Sequence, residues 1–130
     1  MNDERRNPGR PQHLGERTKE FALRVIRLFS ALPKSAEAQV IGRQLLRSGT
    51  SVGAQYREAA RSRSVAEFVS KMQGALQEPD ESVYWLELLS AADIVAPTRL
   101  SDLAAEAHEL TAIFVASVKT AKARMRKPPL

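Results

Sequence analysis

Apolar residues return every three or four positions along most of the chain, the spacing of one face of an α-helix. Leu14, Phe21, Val25, Leu28 and Leu32 mark the first such face, and Arg17, Glu20, Arg24 and Arg27 form its solvated side. Pro33 ends or redirects that helix. A second helix is predicted from near Ser35 through Ile41, Leu45, Ser48, Val52, Tyr56 and Ala59. Gly42, Gly49 and Gly53 fall inside it, each costing roughly 1 kcal/mol of helix propensity relative to alanine. Close contact with a neighbouring helix is the expected reason for them, and a kink near Gly49 is the alternative.

The third helix opens at Ser64-Val65-Ala66-Glu67, where the serine can accept a terminal amide hydrogen bond and the glutamate can return one. Its buried side is predicted to carry Val65, Phe68, Met72, Leu76, Val83, Leu86 and Leu89. Pro79 interrupts that pattern by removing one N–H and clashing with the carbonyl of Ala75, at about 3 kcal/mol or more. The apolar spacing resumes beyond it, so one kinked helix is predicted, with two short helices as the alternative. Pro97 and Thr98-Arg99 mark the next turn, and a fourth helix follows to Arg124 through Leu100, Leu103, Ala107, Leu110, Phe114, Val118 and Ala121. No strand-like run with turn chemistry competes. The prediction is an all-α, antiparallel up-and-down four-helix bundle over residues 16–124. A mobile arm, rich in Pro8, Gly9, Pro11 and Gly15, precedes it at 1–15, and a basic tail follows at 125–130.

A length of 130 residues suits one domain. The absence of cysteine excludes disulfides, a thiolate nucleophile and Cys-based metal sites. The polar stretch from Met1 to Gly15 has neither the apolar core of a signal peptide nor a membrane span, so a cytoplasmic protein with no membrane partner is expected. The net charge of +5 hides an alternation. Residues 1–63 hold 13 basic and 6 acidic side chains (+7), residues 64–118 hold 2 and 9 (−7), and residues 119–130 hold 5 and none (+5). Opposite faces can attract within or between subunits, and the basic surface can attract a polyanion. Domains of this size often complete their burial by self-association.

Nucleotide-binding glycine loops, zinc-protease motifs and nucleophile elbows are absent. His13 and His108 are the only histidines, and neither follows a glutamate at the three-residue spacing of a di-iron bundle. No catalytic residue, metal or cofactor is therefore expected. Glu78 and Glu81 could share a helix face, and salt-bridge roles are expected of them and of Glu58. Arg43, Arg47, Arg57 and Arg61 lie on approximately one face of the second helix, with Arg63 just beyond. Such a row can follow a phosphate backbone. It can equally pair with Glu67, Glu78, Glu81 or Glu87. Lys119, Lys122, Arg124, Arg126 and Lys127 offer a second basic contact or a solubilising end. Tyr56, Tyr84 and Trp85 are expected in core or interface packing.

The string Gln44-Leu45-Leu46-Arg47-Ser48-Gly49-Thr50-Ser51-Val52-Gly53-Ala54-Gln55-Tyr56-Arg57-Glu58-Ala59 resembles the signature region of bacterial four-helix-bundle proteins related to those encoded by intervening sequences in large-subunit ribosomal RNA genes. A second block within Lys71 to Leu89, above all Glu78-Pro79-Asp80-Glu81-Ser82-Val83-Tyr84-Trp85-Leu86-Glu87-Leu88-Leu89, is similar to that family's next recognisable stretch. The likeness spans roughly Glu16 to Lys122. Gln55 stands where the family commonly has Asn, and Pro79 where a small helix-compatible residue is usual. The resemblance implies a protomer assembled into a ring-like homo-oligomer, often a pentamer. More distantly, it resembles helical accessory proteins of diversity-generating reverse transcriptases, in which a basic oligomer engages nucleic acid. It places Arg47, Ser48, Ser51, Tyr56, Arg57 and Glu58 first in a structural or interaction surface.

The combined expectation is a non-enzymatic homo-oligomeric scaffold that binds RNA or DNA through Arg43, Arg47, Arg57, Arg61 and Arg63. Tyr56 would pack beside those arginines and Glu58 would orient them. The alternative is a protein-interaction or accessory subunit without direct nucleic-acid binding.

Overall fold

The computed structural model describes residues 11–126, which form helices α1 (Pro11–Ala31), α2 (Ala36–Ala60), α3 (Val65–Ala75), α4 (Gln77–Ala91) and α5 (Pro97–Arg126). α3 and α4 join through Leu76 with a slight bend, so the five segments make the four rods of an up-and-down bundle. The break falls where the sequence requires it. Pro79 has no N–H to give the carbonyl of Ala75, and the helix loosens one residue later.

Local chemistry sets the helix ends. The Ser35 hydroxyl accepts the Ala38 N–H at 3.4 Å and starts α2, and the Ser64 hydroxyl accepts the Glu67 N–H at 3.1 Å and starts α3. The returning bond differs from the predicted box: the Glu67 carboxylate accepts the N–H of Arg63, at 3.3 Å, rather than that of Ser64. Asp93 takes φ 58°, the left-handed conformation that stops α4. The N–H groups of Ile94 and Val95 then both return to the Leu89 carbonyl, at 3.0 and 3.1 Å.

α1 begins at Pro11, where a proline's missing N–H costs nothing, and Leu14 is buried against the core. Residues 11–15 of the expected arm are therefore helix, while residues 1–10 lie outside the described part. α5 likewise runs through Arg126, two residues past its expected end, and the remainder of the tail, 127–130, is not described.

α2 lies against α1, α3 and α4, and α5 closes the bundle over α3 and α4. The core is apolar, with Phe21, Val25, Leu45, Val52, Met72, Leu89, Leu110 and Phe114 fully buried. Tyr56 stacks on Phe114 with ring centroids 5.9 Å apart and ties α2 to α5. All seven residues expected on the buried face of the last helix are buried. In α3 the buried face is instead Val69, Met72 and Ala75, which leaves Val65 exposed and Phe68 half-buried.

α2 is unbroken through its glycines because they face α1 at close range. A Cβ on Gly49 would stand 2.8 Å from Cγ2 of Val25, and one on Gly53 would stand 3.1 Å from Oγ1 of Thr18. Gly42 meets Leu32 and Phe29 in the same way. Thr18 is wholly buried there, and its hydroxyl donates to the Leu14 carbonyl at 2.6 Å. α1 is fastened to α5 by Arg17, whose Nε and Nη2 donate to the two carboxylate oxygens of Glu106 at 3.1 and 2.7 Å. Hydrogen bonding to Glu106 raises the pKa of that guanidinium.

Candidate nucleic-acid interface

The helical repeat turns Arg43, Arg57 and Arg61 away from the buried side of α2, and all three are exposed. Arg63 follows in the α2–α3 connection and is exposed as well. Among the described residues, none of these four side chains enters an ion pair. They leave a cationic row along the outer face of α2 and around its C-terminal end.

Arg47 is placed differently. It lies next to Ser48, on the flank of α2 that meets α4, and it pairs there with Glu81 and, at 3.6 Å, with Glu78. Glu81 also accepts the indole N–H of Trp85 at 3.2 Å. Glu78 accepts the Gln55 amide at 2.9 Å, and its side chain is only 13% exposed. Deeper in the same seam the hydroxyls of Ser48 and Ser82 meet at 2.8 Å, and Ser82 donates onward to the Glu78 carbonyl at 2.9 Å. This seam uses Arg47 to hold two helices together, in keeping with the salt-bridge role expected of Glu78 and Glu81.

The remaining residues of the expected surface separate. The Ser51 hydroxyl donates to the Arg47 carbonyl at 2.7 Å, within its own helix. Tyr56 points into the core and not toward the arginines, which corrects the expectation that it packs beside them; its burial raises the phenol pKa above 10.0. Glu58 does not orient an arginine either, because its carboxylate faces Lys71 of α3 at 3.7 Å. Gln55, Glu78, Ser82 and Trp85 complete the seam. Ser82 carries no apolar signal, so periodicity could not single it out.

Where α2 ends, a groove of about 720 Å³ opens between the first turn of α3 and the last turns of α5. Val65, Phe68, Ile113 and Ala121 give it an apolar floor, and Arg63 and Arg124 stand on its rim. A smaller groove of about 310 Å³ lies between α4 and α5 at the other end of the bundle, with Glu87 and the exposed His108 along it. Among the described residues no group of His, Cys, Asp and Glu is arranged to hold a metal ion. No described helix is long and apolar enough to cross a membrane.

The family model described as 23S rRNA-intervening sequence protein matches residues 13–116. The fold is similar to the crystal structure of a protein with unknown function from the S23 ribosomal protein family of Bacteroides thetaiotaomicron VPI-5482. The TM-score is 0.78 and the identity 32%, over 84% of this chain and 97% of that one. No curated protein matches the chain.

Proposed function

The chain belongs to the 23S rRNA-intervening sequence protein family, and from that premise we propose that it is a non-enzymatic, self-assembling helical scaffold whose arginines bind the phosphate backbone of RNA or DNA. One observation carries the reading: Arg43, Arg57, Arg61 and Arg63 are exposed and enter no ion pair among the described residues, while Arg47 is engaged by α4. A row of guanidinium groups with no internal carboxylate to satisfy it favours an external anion, and the 18 residue steps from Arg43 to Arg61 span about 27 Å, enough for several phosphates.

Self-assembly is supported by the apolar surface that one copy leaves open. Val40 of α2 is 63% exposed and Tyr84 of α4 is 53% exposed, the latter edge-on to the half-buried Trp85. The test is light scattering of nuclease-treated protein through a salt series, with and without a mixed RNA and DNA pool. The protein alone is expected at a multiple of 14.4 kDa, five copies being the number the resemblance implies, and it should gain nucleic-acid mass at low salt. Arg57→Gln with Arg61→Gln is expected to lower the slope of log affinity against log salt by about 1.4–1.8, the loss of two phosphate contacts. Absence of binding at low salt would overturn the nucleic-acid reading. The same exposed Val40 and Tyr84 favour, as a second reading, an accessory subunit for another polypeptide, and a nuclease-treated chain that binds no nucleic acid and co-purifies with one specific polypeptide would select it.

A further inference from the structure

We propose that the groove between α3 and α5 is a nucleobase site, which receives an unpaired base of a single-stranded nucleic acid while Arg63 and Arg124 hold the adjoining phosphate. This rests on the reading of the α2 arginines as a phosphate-binding row, and it adds which form of nucleic acid the protein prefers.

The groove exists because of the phase of α3. Its buried side is Val69, Met72 and Ala75, so Val65 is left exposed, and Phe68 packs against the core with part of its surface while the rest lines the groove beside α5. The space of about 720 Å³ is within the range of small-ligand sites. A base presents a flat apolar face and a polar edge, and the groove has surfaces for both. Phe68 and Ile113 give the apolar wall. Ser62, Ser117 and Thr120 also line it. The Ser62 hydroxyl is buried without a hydrogen-bond partner, and that of Ser117 donates to the Ile113 carbonyl at 3.0 Å, which leaves its lone pairs free to accept. An aliphatic chain would leave these hydroxyls unmatched.

Charge and continuity point to a nucleic acid strand as the occupant. Arg63 and Arg124 are exposed on the rim and enter no ion pair among the described residues. Arg63 follows Arg61 by two residues and stands on the rim, so the end of the row and the groove share this side chain. A duplex keeps the faces of its internal bases stacked on one another, so away from the duplex ends only an unpaired base can offer a face to Phe68.

The test compares a labelled single-stranded oligonucleotide with its blunt duplex by fluorescence anisotropy at one low salt concentration, using the full chain. The single strand is expected to bind about ten-fold more tightly, in line with the stacking of one base. Ala116→Leu with Thr120→Leu fills the groove from two exposed positions of α5 without touching the core. It should remove that ten-fold preference and leave duplex affinity unchanged. Phe68→Ala should do the same, with circular dichroism confirming that it folds. Equal affinity for strand and duplex, or an equal loss of both in the filled variant, would overturn the base site while the phosphate-binding row stands. No binding of either form by the unaltered protein would overturn both. Polyglutamate that binds the unaltered protein but not the filled variant, and displaces the single strand, would assign the groove to an acidic polypeptide instead.

Discussion

Phe114→Ala is expected to lower the unfolding free energy by about 3–5 kcal/mol, the range for removing a large buried aromatic. Phe114 has no exposed surface and lies at the centre of the α5 stripe. Its ring stacks on Tyr56 of α2, so truncation empties a space bordered by two helices and removes an aromatic contact across the bundle. Neither neighbour can collapse into the gap without shifting a rod whose other residues are already seated. Against a total stability of about 5–15 kcal/mol for a domain, such a loss leaves a marginal fold. Urea unfolding followed by circular dichroism, at one fixed protein concentration, measures it. A change below about 1 kcal/mol would mean that Phe114 does not fill the interior.

The second large effect is expected where α1 crosses α2. A Cβ at Gly49 would stand 2.8 and 2.9 Å from the two methyl groups of Val25 and 3.1 Å from its Cβ. Valine in a helix has one strongly preferred rotamer and cannot turn both methyls aside. Gly49→Ala therefore sets an overpacking cost of about 1–3 kcal/mol against a propensity gain of about 1 kcal/mol, and a net loss is expected. Gly49→Leu, with three more carbons and no space for them, should prevent α1 from docking. Gly74 supplies the opposite sign in the same protein. Apart from its chain neighbours and the backbone of its own helix, no atom lies within 4 Å of a Cβ placed there, so Gly74→Ala should stabilise by up to about 1 kcal/mol. Thermal melts of the three variants beside the unaltered chain decide the matter, and a stabilising Gly49→Ala would contradict the close crossing.

The bundle itself is legible in the sequence because burial here follows a single period. Leu100 through Ala121 keep one phase for six turns, and every one of those seven residues is buried. α3 is less legible for a physical reason. Val65-Phe68-Met72 and Val69-Met72-Ala75 both have helical spacing, and choosing between them requires knowing how Pro79 and the break at Leu76 turn one segment relative to the next. Prolines and glycines before residue 16 read as an arm, yet Pro11 suits a first helical position and Leu14 finds a place in the core.

The arginine face could be recognised from a four-residue return, since that follows from helix geometry alone. Its division could not. Arg47 differs from Arg43 only in lying on the α4 flank, and nothing local identifies Glu78 and Glu81 as the carboxylates alongside. Glu58 meets Lys71 for the same reason: the pairing belongs to how helices are arranged around α2. The groove was hidden as well, because Val65 and Phe68 look like core residues until the face of α3 is known.

The discontinuity at Leu76 also divides the cooperativity of the third rod. α3 has 11 residues, below the length at which an isolated helix holds in water, and its buried residues are Val69, Met72 and Ala75 alone. α4 is longer and is stitched to α2 by the Ser48–Ser82 seam. Since Pro79 withholds its hydrogen bond from Ala75, α3 can open without unwinding α4, and native-state hydrogen exchange should release the α3 amides well before those of α4.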